Sequence, residues 1–163
     1  MEMTHQIPGT AEWHAFNVGM LITQLQVLEF SARVAIRTEA RWDIEDLRTI
    51  QPGTFVPEDP VSEFPGLAPV LSRLNERAPA NSQVDVAAIV NLRDQLAHGR
   101  LAAIPGPSSS FPLTLLKFGG PQQGQVPLLA RIEMTDAWFR EQRDLVDRAL
   151  RAVGTVARST WES

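Results

Sequence analysis

Asn91-Leu92-Arg93-Asp94-Gln95-Leu96-Ala97-His98-Gly99-Arg100 is the stretch on which the fold turns. Leu92 and Leu96, extended backwards by Ala88 and Ile89, recur at helical spacing. The segment therefore reads as the end of an amphipathic helix over 84–101, capped by Asn81 or Ser82. At about 100° per residue, Asn91, Asp94 and His98 form one polar stripe. Arg93 and Arg100 share a neighbouring line, with small Ala97 between that line and the histidine, and Gly99 offers a helix stop. Two readings fit. Cations near a helix C-terminus complement its dipole, which makes the pattern an ordinary decorated helix end. A histidine can also give or take a proton near neutral pH, and arginine forks grip phosphate oxygens. That makes it a reactive surface centred on Arg93 and His98, with Asn91, Asp94 and Arg100 in support.

Outward from this segment the chain reads as mainly helical. Residues 11–42 form a long helix with no internal proline and two apolar lines. One runs through Leu21, Leu25, Leu28, Ala32 and Ala35, the other through Phe16, Met20, Val27, Phe30 and Val34. One line is enough to face a chain's own core, so the second calls for deep burial or a helical partner. Glu29, Arg33 and Arg37 make a polar line, either a surface ion-pair ladder or, through Glu29 and Arg33, a supporting shell for a cleft. Prolines 52, 57, 60 and 65 mark a loop over 49–65, and a short helix over 67–78 ends at Pro79. Beyond the motif, 102–134 reads as a β-hairpin insertion, with strand-like runs at Leu113–Phe118 and Val126–Met134 joined by a Gly/Pro/Gln turn. Thr135 then caps a last helix over 135–157, whose buried stripe is Phe139, Val146, Leu150 and Val153. The expected architecture is a single domain over 1–163: a four-to-five-helix bundle with a small β-hairpin inserted before the last helix.

The 163 residues contain 44% hydrophobic and 21% charged side chains, ordinary for a globular chain. With no cysteine, disulfides, thiolate catalysis and cysteine-ligated metals are excluded. His5 and His14 stand nine residues apart without a third ligand nearby, so no metal site is expected. The absence of a glycine-rich phosphate loop argues against a nucleotide-hydrolysing or dinucleotide-binding enzyme, and no cofactor is expected. The four tryptophans are scattered, which suits core or interface positions. A net charge of −4 leans against broad nucleic-acid affinity. The acids gather between Asp43 and Glu63, however, while Arg131, Arg140, Arg143, Arg148, Arg151 and Arg158 populate the C-terminal part, so a local basic surface is compatible with the total. No secretory leader or membrane-length apolar run is evident, which makes a cytoplasmic location the expectation.

The string Leu92-Arg93-Asp94-Gln95-Leu96-Ala97-His98-Gly99-Arg100 resembles the signature of the HEPN superfamily. That signature is an arginine, commonly followed by a polar residue, with a histidine a few positions on; in many bacterial members it continues as Ala-His-Gly-Arg. The long first helix and the β-insertion before the last helix fit the same outline. The resemblance implies a homodimer through the first helix and the motif helix, with Arg93 and His98 of both protomers lining a shared cleft. It implies metal-independent RNA cleavage, in which a 2′-hydroxyl attacks the adjacent phosphate, Arg93 holds that phosphate and His98 acts as base or acid. Toxin–antitoxin and phage-defence systems are the settings it suggests, with an antitoxin or a nucleotidyltransferase as partner. Asp94 stands where many relatives carry asparagine. One toxin branch has a modified tyrosine two residues after the histidine; here that position is Arg100, and the chain has no tyrosine. The family also includes non-catalytic modules that bind a nucleotide, an RNA or a protein. A purely structural helical protein is the third alternative.

Overall fold

The computed structural model describes residues 8–37, 43–103 and 113–161. These residues form four α-helices and one three-stranded antiparallel sheet, a mainly α protein: α1 (Ala11–Ala35), α2 (Leu67–Asn75), α3 (Val86–His98), β1 (Arg100–Ala103), β2 (Leu113–Phe118), β3 (Leu128–Glu133) and α4 (Asp136–Trp161). Short 3-10 turns occupy Ile44–Arg48 and Ala80–Ser82. They gather into two compact units. The first comprises the chain up to Leu25 with Ala88–Val146, the second Gln26–Ala87 with the chain from Asp147 onward.

In the first unit α1 opens on Thr10, whose hydroxyl accepts the Trp13 amide proton at 3.2 Å, satisfying one of the free donors of the first turn. Trp13, Leu21, Leu115, Met134 and Phe139 form the core, with Val18, Leu96, Leu113, Ile132 and Trp138 packed against them. Trp13 meets Phe139 edge-on at 5.2 Å between ring centroids. His14 is buried and does structural work. Its Nδ1 donates to the Thr10 carbonyl at 2.8 Å, and its Nε2 lies between the Leu113 amide, 3.2 Å away, and the Met134 carbonyl, 3.1 Å away. The start of α1 is thereby tied to the start of β2.

The strand order is β1-β2-β3. A three-stranded sheet stands where a two-stranded hairpin was expected, because the chain leaving the motif helix becomes a strand at once, pairing Arg100 with Leu116 and Ala103 with Leu113. On the other side β3 pairs Leu115 with Ile132 and Leu116 with Arg131. Between β2 and β3 the chain reverses at Gln122–Gln125, whose backbones exchange bonds of 2.7 and 2.9 Å. Gln123 and Gly124 both have positive φ there (51° and 78°), as a tight two-residue reversal requires. Thr135 does cap α4, accepting the Trp138 amide proton at 3.2 Å, and the helix continues past the expected 157 to Trp161.

In the second unit α2 buries Leu67, Val70, Leu71 and Leu74 and stops at Asn75, short of the expected 78. The Asn75 side chain explains why α3 starts late. Its amide donates to the Val84 carbonyl and its oxygen accepts the Val84 amide proton, both at 2.8 Å. Val84 therefore has no backbone groups to spare for a helix, and α3 begins at Val86; Asn81 and Ser82 sit in a 3-10 turn and do not cap it. Helix α1 ends at Ala35, not at 42. Ile36 turns inward, and Arg37 meets Asp59 at 2.7 Å in a pair shielded from solvent; residues 38–42 of the expected helix lie outside the described ones.

The two apolar lines of α1 meet different fates. Leu21, Leu25, Leu28, Ala32 and Ala35 are all buried, whereas Phe16, Met20, Val27 and Phe30 are 41–53% exposed. Among the described residues no helix is long and apolar enough to cross a membrane.

Candidate functional site

Helix α3 is anchored by its apolar face: Ile89 and Leu92 are buried, and Leu96 packs on the first unit's core. What remains outward is the motif. Asn91, Arg93, Ala97 and His98 are exposed and Asp94 is half-buried. Arg93 donates from Nη1 to Asp94 Oδ1 at 3.2 Å, with side chains 50% and 37% exposed. So open a pair is worth no more than about 1 kcal/mol. Asp94 is joined to this arginine, and not to His98, among the described residues. His98 closes the helix, exposed, and makes no hydrogen bond or ion pair among them.

Arg93 and His98 lie five residues apart, which places them about 140° apart around the helix and about 7.5 Å along it. Exposed Ala97 lies on the surface between them. A small ligand cannot meet both groups of one helix head-on; an extended ligand, or two such helices facing each other, can.

The expected shared line of Arg93 and Arg100 does not exist. The helix ends at His98, its last turn closed by the Gly99 amide donating to the Gln95 carbonyl at 2.8 Å, and Arg100 is already the first residue of β1. Close packing requires glycine at this junction. A Cβ on Gly99 would stand 2.4 Å from the Gln95 carbonyl oxygen and 2.8 Å from Leu115 Cγ. Gly99 does not take the left-handed conformation that a glycine after a helix commonly supplies. Arg100 instead reaches over the ring of Phe118, 5.2 Å from its centroid.

Glu29 and Arg33 belong to the second unit. The pair is real, 2.8 Å at its shortest, but Arg33 does much more than extend a ladder. Its Nε and Nη2 both donate to Glu29 Oε1. Nη1 donates to the carbonyls of Pro60 and Glu63, and Nη2 also to that of Pro65. All five guanidinium protons are thus used, three of them to hold the proline-rich loop.

Two groups beside the motif escaped the sequence pattern, Phe118 and Arg131. The signal that could have found them is strand register. Arg131 faces Leu116, which faces Arg100, so one row across the sheet carries both arginines. Among the described residues no group of three or more His, Asp or Glu side chains is placed to hold a metal ion. No protein-family model, curated protein or solved structure matches this chain.

Proposed function

We propose that this protein is a HEPN-type, metal-independent endoribonuclease, cytoplasmic and acting as a homodimer, of the kind found in toxin–antitoxin and phage-defence systems. The observation that carries the reading is His98, exposed and without a partner among the described residues at the end of α3, with Arg93 five residues before it. The angular separation of Arg93 and His98 favours a composite site, in which the arginines and histidines of both protomers address one phosphate. The exposed apolar line of α1 supplies a surface for such pairing. One His98 accepts the 2′-hydroxyl proton as the oxygen bonds to phosphorus. The other gives a proton to the departing 5′-oxygen, leaving a cyclic phosphate and a free 5′-hydroxyl. Arg93 neutralises charge on the phosphate oxygens.

The test is cleavage of single-stranded RNA in the presence of a chelator. Wild type is expected to cut, and His98→Ala and Arg93→Ala each to lose at least about 10²-fold in rate. Undiminished cleavage by both variants would point to a contaminating nuclease and remove the proposal.

One observation favours the second reading, a non-catalytic HEPN-like module that binds a nucleotide, an RNA or a partner such as an antitoxin or nucleotidyltransferase. The Asp94 carboxylate already occupies Arg93 and offsets its charge. Dimeric wild type that binds RNA or nucleotide but never cuts would establish that reading instead.

A further inference from the structure

The sheet of the first unit has two faces. Leu115 and Ile132, paired across β2 and β3, point into the core. Strand alternation sends Arg100, Leu116 and Arg131 to the opposite face in one direct cross-strand row. Neighbouring strands lie about 4.8 Å apart, so the two arginines start about 10 Å from each other with half-buried Leu116 between. Both arginines are exposed, and neither enters an ion pair among the described residues. Phe118, 37% exposed, lies under the Arg100 guanidinium on the same face. The acid of this face, Glu133, sits one row away, opposite Thr114.

We propose that this face is a docking platform for single-stranded RNA, delivering the strand to His98. The RNA occupant rests on the nuclease reading above; the surface itself does not. Charge complementarity selects the occupant. Two arginine forks without an ion pair among the described residues, in an otherwise acidic chain, match two phosphates, and the Arg100 guanidinium plane, supported from below by Phe118, offers a stacking surface for an unpaired base. A base locked in a duplex cannot reach such a plane, which is why the occupant is single-stranded. Position selects the role. Only Gly99 separates Arg100 from His98, so their Cα atoms lie at most about 7 Å apart and the platform adjoins the motif.

The experiment measures anisotropy of a fully 2′-O-methylated single-stranded oligonucleotide, which lacks the attacking hydroxyl, against salt concentration. Wild type should bind, and its log affinity should fall linearly with log salt. Arg100→Gln and Arg131→Gln should each reduce that slope by about 0.7 and weaken binding several-fold, while Arg148→Gln on α4 leaves both unchanged. Phe118→Leu should weaken binding and leave the slope intact. Unaltered thermal melting of each variant keeps loss of fold apart from loss of contact. Wild-type slope and affinity in both arginine variants overturn the platform. So does an absence of binding by wild type, which would leave the face to a protein partner, and so does equal, arginine-dependent binding of a duplex. Cleavage of unmodified RNA that depends on His98, without an effect of Arg100 or Arg131 on binding, rejects the platform and spares the nuclease. Arginine-dependent binding without any cleavage does the reverse.

Discussion

Gly99 is the residue on which the motif and the sheet meet, and its role is spatial. An added methyl would collide with the Gln95 carbonyl and with Leu115, a buried core side chain. Gly99→Ala must therefore push α3 and β2 apart. It is expected to cost about 1–3 kcal/mol, read as a lowered urea midpoint with unchanged slope. A cost near zero would mean that Leu115 simply moves aside. A stop near Gly99 was legible in the sequence, because glycine after a polar helix end is a strong signal, although the helix was expected to run to 101 and ends at His98. Its reason was not, since the neighbour that demands a missing side chain comes from a strand sixteen residues on. His14 makes the same point. Sequence offered it as an isolated histidine, and its partners Thr10 and Leu113 are known only once the chain has folded.

At the level of elements, helical periodicity located all four helices, and the ends were set by forces it does not encode. Asn75 takes Val84 out of α3, and the Arg37–Asp59 pair stands just past the end of α1. Arg33 is the clearest case. The Glu29–Arg33 spacing foretold their ion pair, yet the three loop carbonyls on the same guanidinium come from residues 27 to 32 positions away. A lysine has one nitrogen and cannot address three carbonyls and a carboxylate from separate directions. Arg33→Lys is expected to cost about 2 kcal/mol and to speed hydrogen exchange and proteolysis in 57–65. Unchanged protection of that loop would show that prolines alone hold it.

For the whole molecule the decisive quantity is how many copies assemble. Phe16, Met20, Val27, Phe30 and Val34, with Thr23 between, follow alternating steps of four and three along α1, the spacing of a coiled-coil seam. Phe16, Met20, Val27 and Phe30 are exposed and Val34 is half-buried; four large exposed apolar side chains in one line are uncommon on a chain that stays alone. Light scattering at micromolar concentration is expected to give a dimer. Val27→Glu combined with Phe30→Glu should halve the mass while leaving the helical circular dichroism in place, and should abolish RNA cleavage along with the dimer. A wild-type monomer would dissolve the composite site. The two-faced character of α1 was readable from spacing alone; which line stays outside required the packing.

The direct passage from α3 into β1 bears on how His98 is aimed. A loop after a helix end can absorb small errors of length. Here one residue separates the histidine from a hydrogen-bonded ladder, so the pairing of Arg100 with Leu116 acts as an index mark for the helix. A slip of one position along β2 would carry the end of α3 with it by about 3.3 Å and turn Arg100 to the opposite face. His98 is thus aligned by backbone pairing at a neighbouring element. Substitutions on the outer surface of α3 leave that alignment intact, whereas an insertion or deletion between His98 and the Arg100–Leu116 pair is passed on to it.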